Sequence, residues 1–425
     1  MSATLSFIIV FIIYSQAYFY LWKAGMLPIM PGLWLATVSA MAIFSVAFSS
    51  GKTHQGREYY GRIHWQNQKA LGAWAGVFGG IATFSYLFSL RDPEQLRALK
   101  TVIICMGMLG LYLAAFNSAR AMRAARIAMV LVVLISVANN LLDFFGVYIF
   151  TIADGRGAGF YMNPNISSLY LLMGMILTVS LLSPRYRLMY CLIVAVGVLA
   201  TFSRSGILVW LISVYGLGRT QIFHLSKRAI TTMVIIMACA VLVMQLSANV
   251  VMALGLNKYL SENAMQRLHL NLSTDDSVLG RRAVAERSLE LIKASPWVGY
   301  GLGAHSVPRT HVEPHNTYLL LGVELGLLGV AMYLWLLVVL WRMKSPVSKV
   351  FSFSLAVWSL FDHNLIDSQG LWLACAMLAG LTLTQKQMVP AKWRESREEH
   401  AVRKMSPGSP PPSTLGASVQ TLRLP

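Results

Sequence analysis

Long apolar runs separated by short polar segments dominate the chain. A helix that spans a bilayer needs about 20 mostly apolar residues. The pattern therefore predicts an all-α polytopic membrane protein with about 12 transmembrane helices, formed by residues 1–385. The candidate runs lie at roughly 5–22, 27–48, 70–90, 99–116, 127–145, 166–183, 188–202, 205–218, 229–248, 317–341, 349–361 and 368–385.

Composition supports the membrane assignment. The chain has 425 residues, of which 56% are apolar and 12% are charged, whereas soluble domains carry about 25% charged residues. So little charge cannot cover the surfaces of two or three soluble domains. An ordinary cytosolic enzyme and a disordered protein are therefore excluded. The four cysteines all lie in apolar runs, so neither a disulfide framework nor a zinc site is expected.

The net charge of +18 could indicate a nucleic-acid partner. An even number of spans instead places both termini on one side, and the basic tail after Lys386 assigns that side to the cytoplasm. With this orientation the excess of Lys and Arg falls in the cytoplasmic segments. Insertion topology explains the charge, and no nucleic-acid partner is predicted.

One outer segment, about 249–316, is long enough to fold outside the bilayer as a periplasmic loop with short helices. Within it, Arg281–Ala294 has the pattern of an amphipathic helix, and Pro296 ends it. The tail 386–425 contains a Pro/Ser-rich run and is expected to be cytoplasmic and disordered.

Four clusters of polar residues on the predicted outer face are candidates for a functional site. In the first, Arg156 precedes Asn163-Pro164-Asn165, where an asparagine could cap the sixth helix or the amides could line a site. In the second, Arg204 sits in a tight turn between serines. It could reach lipid headgroups or bind a phosphate through both arms of its guanidinium.

The third cluster opens the amphipathic helix at Gly280-Arg281-Arg282, where a helix N-terminus favours anions. Arg282 and Arg287 are more simply read as part of a solvated face. Gly-rich residues 296–303 begin the fourth cluster, which continues through His305, His311 and His315.

His315 lies where the chain re-enters the membrane, so it is either a helix cap or a general base. His305 and His311 lie in a loop expected to be flexible. The spacing of the three histidines matches no strong metal motif, and no metal or other cofactor is predicted.

Intramembrane acids are costly, so Asp143 and Glu324 are expected to face the bundle interior, where each could pair with an arginine. Asp362-His363-Asn364 and Asp367 fall on the outer side and could contribute to the same cavity.

In their order along residues 150–345, these motifs resemble the O-antigen ligase and polymerase superfamily of bacterial envelope glycosyltransferases. The resemblance is carried by R-x-x-G-F-x-x-N-P-N at 156–165, S-R-S-G at 203–206, G-R at 280–281, S-P-W-V-G-Y-G-L-G at 295–303 and P-H-N-T-Y-L-L-L-G-V-E-L-G-L-L-G at 314–329.

The resemblance implies an enzyme that moves a glycan from undecaprenyl pyrophosphate to an acceptor hydroxyl at the periplasmic face. The acceptor is lipid A–core in ligases and a growing polysaccharide in polymerases. By resemblance, Arg204 and Arg281 bind the pyrophosphate and His315 is catalytic. Arg156, Asn163, Asn165, Asn316 and Glu324 are candidates for orienting substrate or the catalytic ring.

The ligase reading is slightly favoured over the polymerase reading, because the outer loop is modest and single. A polysaccharide transporter is less favoured, since it would need charges at mid-membrane depth. A purely structural membrane partner would not require arginines and a histidine on one face.

Overall fold

The structure is a computed structural model that describes residues 3–28, 58–89, 92–147, 150, 156–223, 276–308, 310–363 and 365–382. Every regular element within these ranges is helical, which confirms the predicted all-α class. The α-helices are α1 (Ala3–Ser15), α2 (Ala17–Lys23), α3 (Glu58–Phe88), α4 (Pro93–Ala115), α5 (Ala119–Phe144), α6 (Pro164–Thr178), α7 (Pro184–Ala200), α8 (Arg204–Arg219), α9 (Asp276–Ala294), α10 (Thr317–Arg342), α11 (Ser348–Trp358) and α12 (Gln369–Gly380).

Several of these helices can cross a membrane. By length and composition, five helical stretches of the described residues qualify: His64–Phe88, Pro93–Ala115, Ala119–Phe144, Pro164–Leu181 and Thr317–Arg342. The bent pair α1–α2 would make a sixth. The chain is therefore a multi-pass membrane protein.

The total of twelve spans stays a prediction. The predicted spans 27–48 and 229–248 lie outside the described residues, as do loop residues 249–275 and the tail 386–425. The helices α7, α8, α11 and α12 have only 17, 16, 11 and 12 residues.

Polar caps and prolines set where the helices begin. Asp92 forms a capping box with Gln95 at the start of α4, and a proline occupies the first position of that helix. Ser203 and Ser368 cap α8 and α12 more simply, each by accepting one backbone N–H, from Gly206 and Leu371 respectively. Each cap satisfies backbone N–H groups that would otherwise lack partners at a helix start.

The helices pack around α5 and α12. Helix α5 contacts α1, α6 and α7, while α12 contacts α4 and α3 and is buried along nearly its whole length. The indoles of Trp74 and Trp372 stack with centroids 5.3 Å apart at this contact. Apolar side chains on the outside, such as Phe84 and Leu131, remain exposed, as expected where lipid covers the protein.

Helix α10 is sharply broken at Gly326. This residue has φ 64° and ψ −156°, a conformation that only glycine adopts readily. In a continuous helix, Tyr318 and Tyr333 would lie about 22 Å apart, yet their ring centroids are 5.5 Å apart. The helix therefore folds back into an N-terminal arm (317–325) and a C-terminal arm (327–342).

The Gly-rich segment 295–303 fills this break with its own backbone. Breaking a helix inside a membrane frees N–H and C=O groups that must find other partners. This part of the predicted periplasmic loop is therefore built into the helix bundle. Three backbone hydrogen bonds join the two segments: Leu327 N to Pro296 O (2.7 Å), Tyr300 N to Val323 O (3.0 Å) and Gly301 N to Glu324 O (2.8 Å).

We expect Gly326→Ala to lower the thermal stability of the protein. A β-carbon at this position would lie 2.5 Å from the carbonyl carbon of Trp297, and the positive φ alone costs roughly 1–3 kcal/mol for other residues. Gly72→Ala is the matched control, because nothing lies within 4 Å of its added β-carbon. Thermal unfolding in detergent measures both; equal melting temperatures for Gly326→Ala and the unmodified protein would contradict the prediction.

Candidate functional site

The candidate site lies at the end of the bundle where α5 and α7 end and α6 and α8 begin, here called the site end. Asp143, near the end of α5, accepts hydrogen bonds from the N–H groups of Ala158 (2.8 Å) and Gly159 (3.1 Å). Gly159 has φ 52°, and a β-carbon there would lie 2.8 Å from Cβ of Asn139. Asp143 therefore holds the loop before α6 in place. Its partners in these hydrogen bonds are backbone N–H groups and not an arginine side chain.

Arg156 is buried and ties this loop to the end of α7. Its Nε donates to the carbonyl oxygen of Thr201 (2.8 Å) and its Nη2 to Oδ1 of Asn165 (3.1 Å). Only 9% of its surface is exposed. These contacts give Arg156 and Asn165 a role in holding the site end together.

The same asparagine supports the turn that carries Arg204. Oδ1 of Asn165 also accepts from Oγ of Ser203 (3.2 Å), and that hydroxyl caps α8 by accepting from the N–H of Gly206 (3.2 Å). Arg204 is the first residue of α8 and is exposed. Asn163 is the N-cap of α6, which agrees with the capping alternative for this residue.

His315 lies at the start of the N-terminal arm of α10. Hydrogen bonds of the next two residues fix the backbone there. Asn316 caps the arm by accepting from the N–H groups of Tyr318 (2.8 Å) and Leu319 (3.1 Å). The next residue, Thr317, donates its N–H to the carbonyl of Ser359 (2.8 Å). The His315 side chain itself remains exposed.

The loop between α11 and α12 brings further polar residues to His315. The ring of His363 meets the ring of His315 edge to face, with centroids 5.5 Å apart and planes inclined by 64°. Farther along the loop, the carbonyl of Asp367 accepts from Sγ of Cys105 (3.7 Å), which lies in the middle of α4. The far end of this loop therefore packs against α4.

His305, which was expected to lie in a flexible loop, makes defined contacts in the structure. It lies in a 3-10 turn, Ala304–Ser306, and its Nδ1 is 2.6 Å from Oε1 of Glu324. The same carboxylate oxygen accepts the N–H of Gly303 (2.7 Å). Glu324 therefore faces the interior, as predicted, but its charged partner is a histidine instead of an arginine. His311, by contrast, is exposed.

The charges around this pair shift the ionisation of its members. Burial lowers the pKa of His305, but the hydrogen bond and charge of Glu324, with the charges of Asp367 and Glu313, outweigh burial and raise it. The pKa of Asp367 rises to about 6, because neighbouring protein atoms desolvate it and Glu324 repels its charge, while His305 opposes the shift. Asp367 retains solvent access at the same time.

Helix α6 connects the arginine turn to the histidine loop. Asn165 supports Ser203 at the start of the helix. Five residues farther on, the hydroxyl of Tyr170 hydrogen-bonds to Oγ of Ser368 (3.0 Å) and accepts the N–H of Gly370 (3.1 Å). Arg204 and the loop that carries His363 are therefore attached to the same two turns of one helix.

Arg281 occupies a different position from the one expected. Helix α9 begins at Asp276, so Arg281 lies in its second turn and does not open the helix. Arg281 is exposed. Arg282 and Arg287 form exposed ion pairs with Glu286 and Glu290, both at 2.9 Å, which confirms the solvated-face reading.

Across the described ranges, no group of three His, Cys, Asp or Glu side chains is arranged to hold a metal ion. The residues that do converge at the site end are imidazoles, carboxylates, amides and guanidinium groups. Such a set can bind an anion and transfer a proton.

Fold and site together define a multi-pass helical membrane protein with a polar centre at one end of its bundle. A family model described as O-antigen ligase matches residues 189–334. The match confirms the resemblance to the O-antigen ligase and polymerase superfamily and indicates a glycosyltransferase-like enzyme of O-antigen assembly. No curated protein matches the chain significantly.

The matched residues contain Arg204, Arg281, His315 and Glu324. Arg156 and Asn165 lie before them and His363 lies after them. The sequence placed His363 on the outer side but did not predict its contact with His315. The two histidines are 48 positions apart, and no periodicity connects them.

We expect the pairing of His305 with Glu324 to stabilise the protein at acid to neutral pH. Because the folded state raises the pKa of His305, this contribution is fully present below the ordinary value of 6.5. It is lost as the pH rises through the raised value. His305→Gln should therefore melt below the unmodified protein at pH 6, with the gap narrowing by pH 9.

His311→Gln serves as the control for the pH series, because its ring is exposed and should leave the melting curve unchanged at every pH. Thermal unfolding of the three proteins across pH 6–9 provides the comparison. A gap for His305→Gln that stays constant across the series would contradict an ionic contribution.

Proposed function

We propose that the protein transfers a glycan from undecaprenyl pyrophosphate to an acceptor hydroxyl at the periplasmic face of the bacterial inner membrane. The acceptor in this proposal is lipid A–core, which makes the enzyme an O-antigen ligase. The observation that supports it most directly is the exposed imidazole of His315, set on a fixed helix start beside the ring of His363. Both chain termini would then lie in the cytoplasm.

In the proposed reaction, His315 acts as general base. The acceptor oxygen attacks the anomeric carbon while an imidazole nitrogen takes its proton. The bond between that carbon and the pyrophosphate oxygen breaks, and undecaprenyl pyrophosphate leaves with the bonding electrons. A neutral imidazole suits this role near pH 7, and the backbone anchors around Asn316 and Thr317 hold it in place.

The arginines would stabilise the charge that develops on the leaving pyrophosphate. Fixed cationic donors aimed at a developing charge are among the largest contributions to enzymatic rate. Arg204 is suited to this because Ser203 and Asn165 fix the turn that carries it. The exposed side chain of Arg281 would complete the site from α9, and no step requires a metal ion or another cofactor.

A repeat-unit polymerase is the alternative within the same superfamily. The chemistry at the donor would be identical, and the acceptor would be the end sugar of a lipid-linked glycan. Supplying purified lipid A–core and lipid-linked repeat units in separate reactions distinguishes the two, because only the true acceptor is elongated.

We expect Arg204→Lys and Arg281→Lys to abolish most transfer at normal protein levels. Lysine keeps the charge but loses the planar fork that binds two phosphate oxygens at once. The matched controls are Arg282→Lys and Arg287→Lys, whose side chains form exposed ion pairs. Transfer from purified lipid-linked donor in nanodiscs is the assay, and equal tolerance at all four positions would remove the pyrophosphate role.

We expect His315→Ala to lower the transfer rate by about 10²–10⁴, the usual contribution of a general base. Donor binding should persist, since the arginines remain. His305 is the informative comparison, because Glu324 orients its ring at 2.6 Å as a carboxylate orients a base. Near-normal turnover of His315→Ala together with an inactive His305→Ala would assign the base to His305 instead.

A further inference from the structure

His363 is a polar side chain at the candidate site to which the proposed reaction assigns no role. Its ring presses edge to face against the ring of His315, with centroids 5.5 Å apart. Its Nδ1 is buried and has no hydrogen-bond partner among the residues that the structure describes. That nitrogen therefore does not serve to hold the loop in place, and the contact with His315 is the prominent interaction of the ring.

The backbone holds the two histidines in a fixed relation. Thr317, two residues after His315, donates its hydroxyl to the carbonyl of Asp362 (2.6 Å) and its N–H to the carbonyl of Ser359 (2.8 Å). Oγ of Ser359 in turn hydrogen-bonds to the hydroxyl of Tyr333 (2.5 Å), on the C-terminal arm of α10. The segments that carry His315 and His363 are thus joined by two hydrogen bonds close to the ring contact.

The charges around His363 favour its neutral form. Burial lowers its pKa, and the nearby rings of His315 and His305 lower it further, against the opposing effect of Asp362 and Glu313. At neutral pH, His315 therefore meets an uncharged ring. Protonation of His363 in acid would place a cation directly against His315.

Building on the proposed function, we propose that His363 is a positioning residue, whose ring braces the imidazole of His315 so that it faces the acceptor hydroxyl in one orientation. An exposed imidazole can otherwise rotate among several rotamers. A displacement of about 1 Å in a reacting group can cost 10²-fold in rate. This ring contact would raise kcat and leave donor binding unchanged.

The test compares His363→Ala with His363→Phe, because phenylalanine retains an aromatic ring without ring nitrogens. With purified lipid-linked donor and acceptor in nanodiscs, we expect His363→Ala to lower kcat by about 10–100-fold with little change in the KM for donor. His363→Phe should recover most of that loss. His311→Ala is the control and should match the unmodified protein.

The pH profile supplies a second readout that a merely structural role would not move. Protonation of His363 should contribute to the acid limb of the unmodified protein, and that contribution should be missing from His363→Phe. An unchanged kcat in His363→Ala, or a His363→Phe variant as slow as His363→Ala, would overturn the brace. Absence of transfer by the unmodified protein would instead overturn the proposed function.

Discussion

The backbone hydrogen bonds between segment 295–303 and the break in α10 support the rest of the site. A helix that breaks inside a membrane exposes N–H and C=O groups to a medium that offers them no partners. Here the carbonyls of Val323 and Glu324 and the N–H of Leu327 find those partners in a segment from the preceding loop. These hydrogen bonds offset the free-energy cost of breaking the helix at Gly326, and the N-terminal arm can fold back along the C-terminal arm.

The positions of the catalytic candidates follow from that fold-back. It brings Thr317 to the α11–α12 loop, which sets the ring of His315 against that of His363. It also directs Glu324 toward Gly303 and His305. On the other side of the site, a separate set of contacts from Arg156 through Asn165 to Ser203 fixes the start of α8. Helix α6 carries partners for both sets.

The sequence predicted the elements that depend on local pattern and missed those that depend on distant partners. Apolar runs placed α4, α5, α7 and α8 correctly, although the helices extend beyond the runs at their polar ends. Helix α9 begins five residues earlier than expected, because a solvated helix has no apolar run to mark its start. Neither the break at Gly326 nor the pairing of Glu324 with His305 could be predicted, since both depend on segments brought together only in the fold.

Helix α12 places an apolar segment directly beyond the polar loop that carries His363. It starts beside the polar loop and runs to the far end of the bundle, where Gly380 lies against Phe116 and Met122. Between these points its residues are buried and apolar, and Trp372 stacks on Trp74. The short helix thus separates the polar loop from the opposite end of the bundle by a layer of packed apolar side chains.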